Sequence, residues 1–212
     1  LKFSFSITGN AIEQFRQSMT EEGLTKSAWP NSKGSIIPPF SLFWICMVHD
    51  YWWHRDDTSF VKAQIPNILK ILRWYEKQIN PETNMPGKMP YWHFVDWPKE
   101  WAWDPVKNTG GIPKGVKEGM SSIINLQFVY ANQKALELLQ AFDYHEEYVN
   151  FKAINTRIKK SVNTYFWNSE KALYSDSDES NTFSQHANIM GLLTETVPLS
   201  NKKEFMNKIL TD

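Results

Sequence analysis

Apolar residues recur at three- and four-residue spacing along five or six segments of the chain, and no segment of comparable length alternates apolar and polar residues. That spacing places the apolar side chains on one face of an α-helix, whereas a half-buried strand needs a period of two. An amphipathic helix buries its apolar face only by packing against a neighbour. The pattern therefore predicts an all-α fold built from antiparallel helical hairpins.

A short helix capped by Asn10 is predicted first, and it is followed by six longer helical segments. Their approximate limits are 38–49, 58–75, 121–142, 144–165, 183–193 and 200–210. The segment that Pro38 opens is apolar on nearly every face, which predicts burial on all sides. Pro66 is expected to kink the next segment or to follow a short lead-in turn. Short extended pieces are predicted only at 88–95 and 173–175.

The stretch 79–117 is irregular and carries six prolines and four tryptophans. It is far longer than the roughly 4–6 residues typical of connections in compact domains, and loops of this length are usually functional or disordered. Its tryptophans argue against disorder. We therefore predict that this loop forms part of a binding face.

Within that loop, residues 91–104 combine three carboxylates, one imidazole and four indoles. Sugar rings present flat C–H faces that stack on indoles, and their hydroxyls need hydrogen-bond acceptors such as carboxylates. The same composition would also suit a structural plug over one end of a helical barrel. The predicted substrate-binding residues are Trp92, His93, Asp96, Trp97, Trp101 and Trp103. We expect Trp97 to pack on the apolar face of a sugar and Asp96 to accept from its hydroxyls.

Charge and cysteine content exclude several other classes. The chain has 23 basic and 23 acidic residues, so it offers no electrostatic reason to bind nucleic acid or an anionic membrane. The single cysteine, Cys46, lies in an apolar run and is interpreted as a core residue. No metal-ligand spacing, phosphate loop or dinucleotide fingerprint is present, and neither a cofactor nor a metal is predicted.

Other polar residues have simpler interpretations. Asp57 is expected to begin a helix and His49 to be a satisfied core histidine. The acidic run of Asp176, Asp178 and Glu179 is interpreted as a solvated loop. His186 could face a cavity.

Several motifs occur in the order found in the α-L-rhamnosidases, and the chain resembles that family. Phe94-Val95-Asp96-Trp97 is similar to a Gly-Asp-Trp element of the family, with Val95 in place of the glycine. The helix at 121–142 follows, and Tyr165-Phe166-Trp167-Asn168 is similar to the aromatic finish of the next hairpin. Thr182–Leu193 with Val197-Pro198 resembles the following helix. A departure lies at Pro39-Phe40-Ser41-Leu42, where the family often has a tryptophan and an acidic residue.

The resemblance implies part of an (α/α)6 toroid, with residues 1–212 as one region of a six-hairpin glycosidase domain truncated at both ends. It implies an inverting hydrolase, in which an acid and a base lie about 6.5–9.5 Å apart across the sugar. The family's acid is expected before this stretch and its base after it, so the catalytic residues stay unknown and the fragment alone is expected to be inactive. It would supply part of the sugar-binding wall for a carbohydrate, in particular a rhamnoside. The resemblance also favours a periplasmic or secreted location.

Two other classes are compatible with the sequence. One is a different α/α-toroid sugar enzyme, such as a glucoamylase-like hydrolase or an epimerase. The other is a non-catalytic helical binding module with an aromatic patch, which would be favoured if no flanking carboxylate met Asp96 in space.

Overall fold

The computed structural model describes residues 7–31, 34–106, 108–198 and 202–211. Seven α-helices lie in the described part of the chain: α1 Ile7–Gln17, α2 Pro38–His54, α3 Thr58–Glu76, α4 Ser122–Ala141, α5 His145–Phe166, α6 Gln185–Leu193 and α7 Lys202–Thr211. Two antiparallel two-residue ladders accompany them: β1 Ile79–Asn80 with β2 Met85–Pro86, and β3 Trp167–Asn168 with β4 Leu173–Tyr174. The fold is all-α, as predicted.

The helices form antiparallel hairpins that stand side by side. Helix α4 lies between α2 and α6; α3 packs against both α2 and α4, α5 packs against α4, and α7 packs against α6. Successive helices are therefore assigned alternately to an inner row and an outer layer, as in part of an (α/α)6 toroid. In this arrangement, the loop between α3 and α4 and the segment before α6 meet near the N-terminal ends of the inner helices.

A single large core joins most of the described helices. Tyr75 of α3 and Phe128 of α4 stack with ring centroids 4.8 Å apart, and both rings are fully buried. Trp44 of α2 is also buried, and its Nε1–H donates to the carbonyl of Ile12 in α1 at 3.0 Å. These large rings fill the spaces between helices, so the apolar stripes seen in the sequence determine the packing.

Several local predictions need correction. Helix α1 already includes Ile7, so Asn10 lies inside it on the exposed side and is not its cap. Helix α3 begins at Thr58, so the residues before Pro66 belong to the helix and do not form a separate lead-in turn; Pro66 is on the exposed face, where water can satisfy the freed carbonyl. Helix α2 is not buried on all sides, since Phe43 and Trp53 are exposed.

The short extended pieces were only partly predicted. The prediction at 173–175 is confirmed by β4, but residues 88–95 form no strand. Val95 bonds instead to Gly111 of the same irregular loop. The last predicted helix is observed from Lys202, and its expected first residues, 200 and 201, lie outside the described residues. Of the described helices, none is both long and apolar enough to cross a membrane.

Candidate functional site

The loop between α3 and α4 is folded back on itself by backbone hydrogen bonds. The Val95 N–H donates to the Gly111 carbonyl at 2.8 Å, and the Gly111 N–H donates to the Trp101 carbonyl at 2.7 Å. Gly111 has a φ of +67°, and a Cβ there would lie 2.2 Å from the Phe94 ring. Only glycine fits this crossing point. The loop is therefore a structured platform, as its tryptophan content indicated.

Four rings of this platform form an aromatic cluster, which we define as Trp92, Phe94, Trp97 and Trp103. Trp97 packs on Phe94 with centroids 4.9 Å apart, and both Trp92 and Trp103 lie 6.3 Å from Trp97. Trp92 is fixed by its Nε1–H, which donates to the Gly110 carbonyl at 2.9 Å. The rings of Trp97 and Trp103 remain about half exposed, at 52% and 47%. Two apolar ring surfaces are thus available to a ligand.

Asp96 is held at both of its carboxylate oxygens. Its Oδ1 accepts from the Trp97 backbone N–H at 2.8 Å, and its Oδ2 lies 2.9 Å from Nε2 of His186 in α6. Both contacts favour the ionised carboxylate, so the backbone N–H of Trp97 first, and His186 next, lower the pKa of Asp96. The side chain stays largely exposed, which leaves acceptor positions for a ligand.

His186 is placed by the N-terminal turn of α6. Ser184 caps this helix by accepting from the Ala187 N–H at 3.2 Å, and the Ser184 N–H donates to Oδ1 of the buried Asp176 at 3.0 Å. The His186 ring also packs on Trp101, with centroids 5.0 Å apart. The imidazole therefore has a fixed backbone below it and a buried indole beside it.

A cleft of about 360 Å³ opens beside the Asp96–His186 pair, between the platform and helices α2, α4 and α6. Its lining combines apolar and polar side chains. The apolar residues are Phe43, Val95, Ile123, Ile189 and Met190, and the polar residues are Asp96, Gln127, Gln185 and His186. On its other side, His186 borders a second cleft of about 450 Å³, together with Trp101, Glu100, Lys114 and Asp176. Both volumes are within the range of small-molecule sites.

The six predicted binding residues thus occupy four different settings, of which the buried one of His93 is described separately below. Asp96 borders the first cleft, whereas Trp97, Trp92 and Trp103 belong to the aromatic cluster. Trp101 is buried beneath His186, and it lines the second cleft. The structure therefore brings the six residues onto one platform but not into one cavity.

His93 points into the protein. It is buried, and its Nε2 lies 2.9 Å from the Pro90 carbonyl. Burial lowers the pKa of this imidazole, while the carbonyls of Pro90 and Met89 act in the opposite direction. Its side chain also lines a small cavity with Ser121, the residue before α4, and Asn125 of α4, and its Nδ1 has no hydrogen-bond partner among the described residues. The position of His93 suits anchoring of the platform to α4 better than contact with a ligand.

The remaining polar predictions have mixed outcomes. His49 is a buried, satisfied histidine, as predicted, with Nε2 at 2.8 Å from Glu137. Asp57 caps α3 by accepting from the Phe60 N–H, and Cys46 is half-buried against the core. The acidic run is not simply a solvated loop, because Asp176 is buried and anchors Ser184.

Two features of the site were not predicted from the sequence: Asp176 holds Ser184, and Gln127 lines the first cleft. Asp176 and the cap residue Ser184 are eight residues apart, and nothing in the sequence pattern linked them. Among the described residues, no group of three or more His, Cys, Asp or Glu side chains is placed to hold a metal ion.

Comparison with known proteins places this architecture in a family. Residues 4–212 match the bacterial α-L-rhamnosidase six-hairpin glycosidase domain. The chain belongs to this family. It is a rhamnosidase-family domain, and its family is one of glycoside hydrolases. Among curated proteins, none matches the sequence significantly.

Solved structures show the same fold. A GH78 family rhamnosidase of Bacillus sp. GL1 matches with a TM-score of 0.77 and 21% identity, over 95% of this chain and 20% of that one. A rhamnosidase from Klebsiella oxytoca with rhamnose bound matches with a TM-score of 0.75 and 14% identity, over 97% and 37%. An α-L-rhamnosidase from Dictyoglumus thermophilum matches with a TM-score of 0.63 and 16% identity, over 98% and 22%. The rhamnosidase-family domain described here thus spans between a fifth and two-fifths of the length of these chains.

Proposed function

We propose that this domain supplies part of the sugar-binding wall of an inverting α-L-rhamnosidase, with Asp96 as its central polar group. The observation that carries the proposal is the position of the Asp96 carboxylate in a cleft that both apolar and polar side chains line. A 6-deoxy sugar offers both kinds of surface, because its C6 methyl and ring C–H groups are apolar and its hydroxyls are polar.

The polar side chains that line the cleft suit sugar hydroxyls. The Asp96 carboxylate is acceptor-only when ionised, and the amides of Gln127 and Gln185 both donate and accept. Phe43, Ile123, Ile189 and Met190 offer apolar surface within the same cleft, which suits the C6 methyl of rhamnose. In support, rhamnose is bound in the Klebsiella oxytoca enzyme, whose fold this chain shares.

The aromatic cluster contributes the second part of the wall in this proposal. The exposed faces of Trp97 and Trp103 would stack on the C–H face of a sugar unit, as indoles commonly do. Since these rings do not share the cleft with Asp96, they suit a neighbouring part of the substrate better than the ring that Asp96 holds.

Inverting hydrolysis needs a general acid and a general base, and this domain is proposed to provide neither. Asp96 has a lowered pKa, which suits a hydrogen-bond acceptor and not a proton donor. The acid and base are proposed to lie in other parts of the protein's natural chain.

The test compares L-rhamnose with L-mannose, which differs by a hydroxyl on C6, using calorimetry on the protein at its natural length. Tighter binding of L-rhamnose, together with hydrolysis of an aryl α-L-rhamnoside with inversion, is expected. The same assay on residues 1–212 alone should show no turnover. Clear turnover by that fragment, or retention of configuration, would overturn the mechanism proposed here. Equal binding of L-mannose would overturn the proposed contact between the apolar residues of the cleft and the C6 methyl.

A further inference from the structure

We propose that His186 is a positioning residue for Asp96: it holds the carboxylate in its ionised form and in the orientation that the sugar meets. This inference rests on the proposed function, because it assigns His186 a role at the same cleft. It concerns a residue on a different helix, 90 positions away in the sequence from Asp96.

The first argument is the geometry of the carboxylate. With Oδ1 accepting from the Trp97 N–H at 2.8 Å and Oδ2 at 2.9 Å from His186 Nε2, both oxygens are fixed and the plane of the carboxylate is defined. The Trp97 contact alone would leave rotation about the bond from Cβ to the carboxyl carbon. His186 removes that freedom, which is the requirement for a preorganised acceptor.

The second argument is the rigidity of the helical turn that carries His186. Asn188, two residues after His186 in α6, is buried, and its Oδ1 accepts from the Tyr174 N–H at 2.7 Å, while its Nδ2 donates to the carbonyls of Tyr174 and Ser184. The bond between Ser184 and the buried Asp176 holds the same turn from the other side. Because these partners are buried and satisfied, the α6 N-terminus cannot shift without breaking several hydrogen bonds.

The third argument is protonation chemistry. For Nε2 to donate to an ionised Asp96, that nitrogen must carry a proton, either in the neutral tautomer or in the imidazolium. The charged groups that border the other side of His186 are Glu100, Lys114 and Asp176. None of these three lines the first cleft. Among the residues that do line it, Asp96 and His186 are the titratable ones.

The experiment has two independent readouts on the protein at its natural length. The first is the titration of the Asp96 carboxyl followed by carbon NMR, in wild type, His186→Ala and His186→Gln. His186→Ala is expected to raise the titration midpoint of Asp96, because a bond that favours its ionised form is lost. His186→Gln, whose amide can donate from a similar position, is expected to restore the midpoint partly.

The second readout is L-rhamnose affinity as a function of pH. His186→Ala is expected to weaken binding roughly three- to tenfold at pH 7, the scale for a partly exposed hydrogen bond to a charged group. The acid limb of binding should also move to higher pH, in step with the Asp96 midpoint. His145→Ala is the matched control, since His145 and Asp143 form an exposed pair at 3.9 Å beside α5, away from the cleft.

The outcomes separate the two proposals. An Asp96 midpoint that His186→Ala leaves unchanged would overturn the positioning role, whatever the sugar affinity. If His186→Ala shifted the Asp96 midpoint but the wild-type protein bound no rhamnose, the pairing of the two residues would be supported and the proposed function would be overturned. Equal loss of affinity in His145→Ala would show a non-specific effect and would also overturn the positioning role.

Discussion

Asp96 and Trp97 are adjacent in the sequence, yet their side chains contact different elements: the Asp96 carboxylate bonds to His186 of α6, and the Trp97 indole packs on Phe94 within the loop. Neighbouring side chains in an extended segment point to opposite sides, and Pro98 favours extended geometry at Trp97. The two residues can therefore be tested separately, and a sugar would have to span both surfaces to use them together.

The first prediction concerns this pair. Asp96→Asn should weaken rhamnose binding by about tenfold because it removes a charged acceptor, and Trp97→Ala should lose about 1–3 kcal/mol of binding through lost stacking. Melting temperature and kcat/KM are to be measured on the same samples of the natural-length protein. Trp53→Ala, which removes an exposed indole outside the loop, is the control. If activity per folded molecule were unchanged in both loop variants, the loop would be a structural plug and not a binding wall.

The second prediction compares two buried tyrosines. The hydroxyl of Tyr75 is buried and has no hydrogen-bond partner among the described residues, whereas the hydroxyl of Tyr174 donates to Asn163 Oδ1 at 2.5 Å. Tyr75→Phe should therefore leave the free energy of unfolding unchanged or raise it by up to about 1 kcal/mol. Tyr174→Phe should lower it by about 1 kcal/mol or more, because Asn163 loses its donor. Urea denaturation of both variants is the measurement, and a marked loss of stability in Tyr75→Phe would contradict the first half.

The third prediction concerns Gly191 in α6. Alanine is normally favoured over glycine inside a helix by about 1 kcal/mol, but a Cβ at Gly191 would lie 2.5 Å from the Tyr174 ring. We expect the clash to outweigh the propensity, so that Gly191→Ala lowers the free energy of unfolding by about 1–3 kcal/mol. Gly87→Ala is the matched control, since a Cβ there meets its nearest atom at 3.6 Å and should be tolerated. Equal melting temperatures for the two variants would show that the helix can shift to admit the methyl group.

The fourth prediction concerns the thiol of Cys46. Burial, with the charge of Asp50 as a smaller contribution, raises the pKa of this thiol to about 12. The reactive thiolate is present only as pH rises through that value, so at pH 8 nearly all of the group is the inert thiol. Iodoacetamide should label the folded protein at least about a hundredfold more slowly than the urea-unfolded protein. Equal rates would mean that α2 opens readily around this residue.

The fold was largely predictable from the sequence because each helix carries its own apolar stripe, as α3 and α5 do. The spacing of apolar residues could not predict features that depend on the residues around a position. The helical state of Asn10 follows from residues before it, and Pro66 is tolerated because its face is turned to solvent.

The candidate site was predictable only in part for a similar reason. The density of indoles and carboxylates identified the loop, but it could not distinguish the exposed Trp97 from the buried Trp101, since both occur in the same local pattern. Neither His186 nor Asp176 lies near the loop in sequence. The bond from His186 to Asp96 joins residues 90 positions apart, and the bond from Ser184 to Asp176 depends on how the segment between β4 and α6 turns.

The Asn188 side chain has a consequence for how this domain could change during evolution. Its amide accepts from the Tyr174 N–H and donates to the Tyr174 carbonyl, as the backbone of an adjacent strand would. The β3–β4 hairpin and α6 are therefore joined as one block. A substitution in that hairpin, outside both clefts, would be transmitted as a tilt of α6 and would change the orientation of His186. Affinity for the sugar could then be adjusted through residues that never touch it, while the residues facing the ligand stay the same.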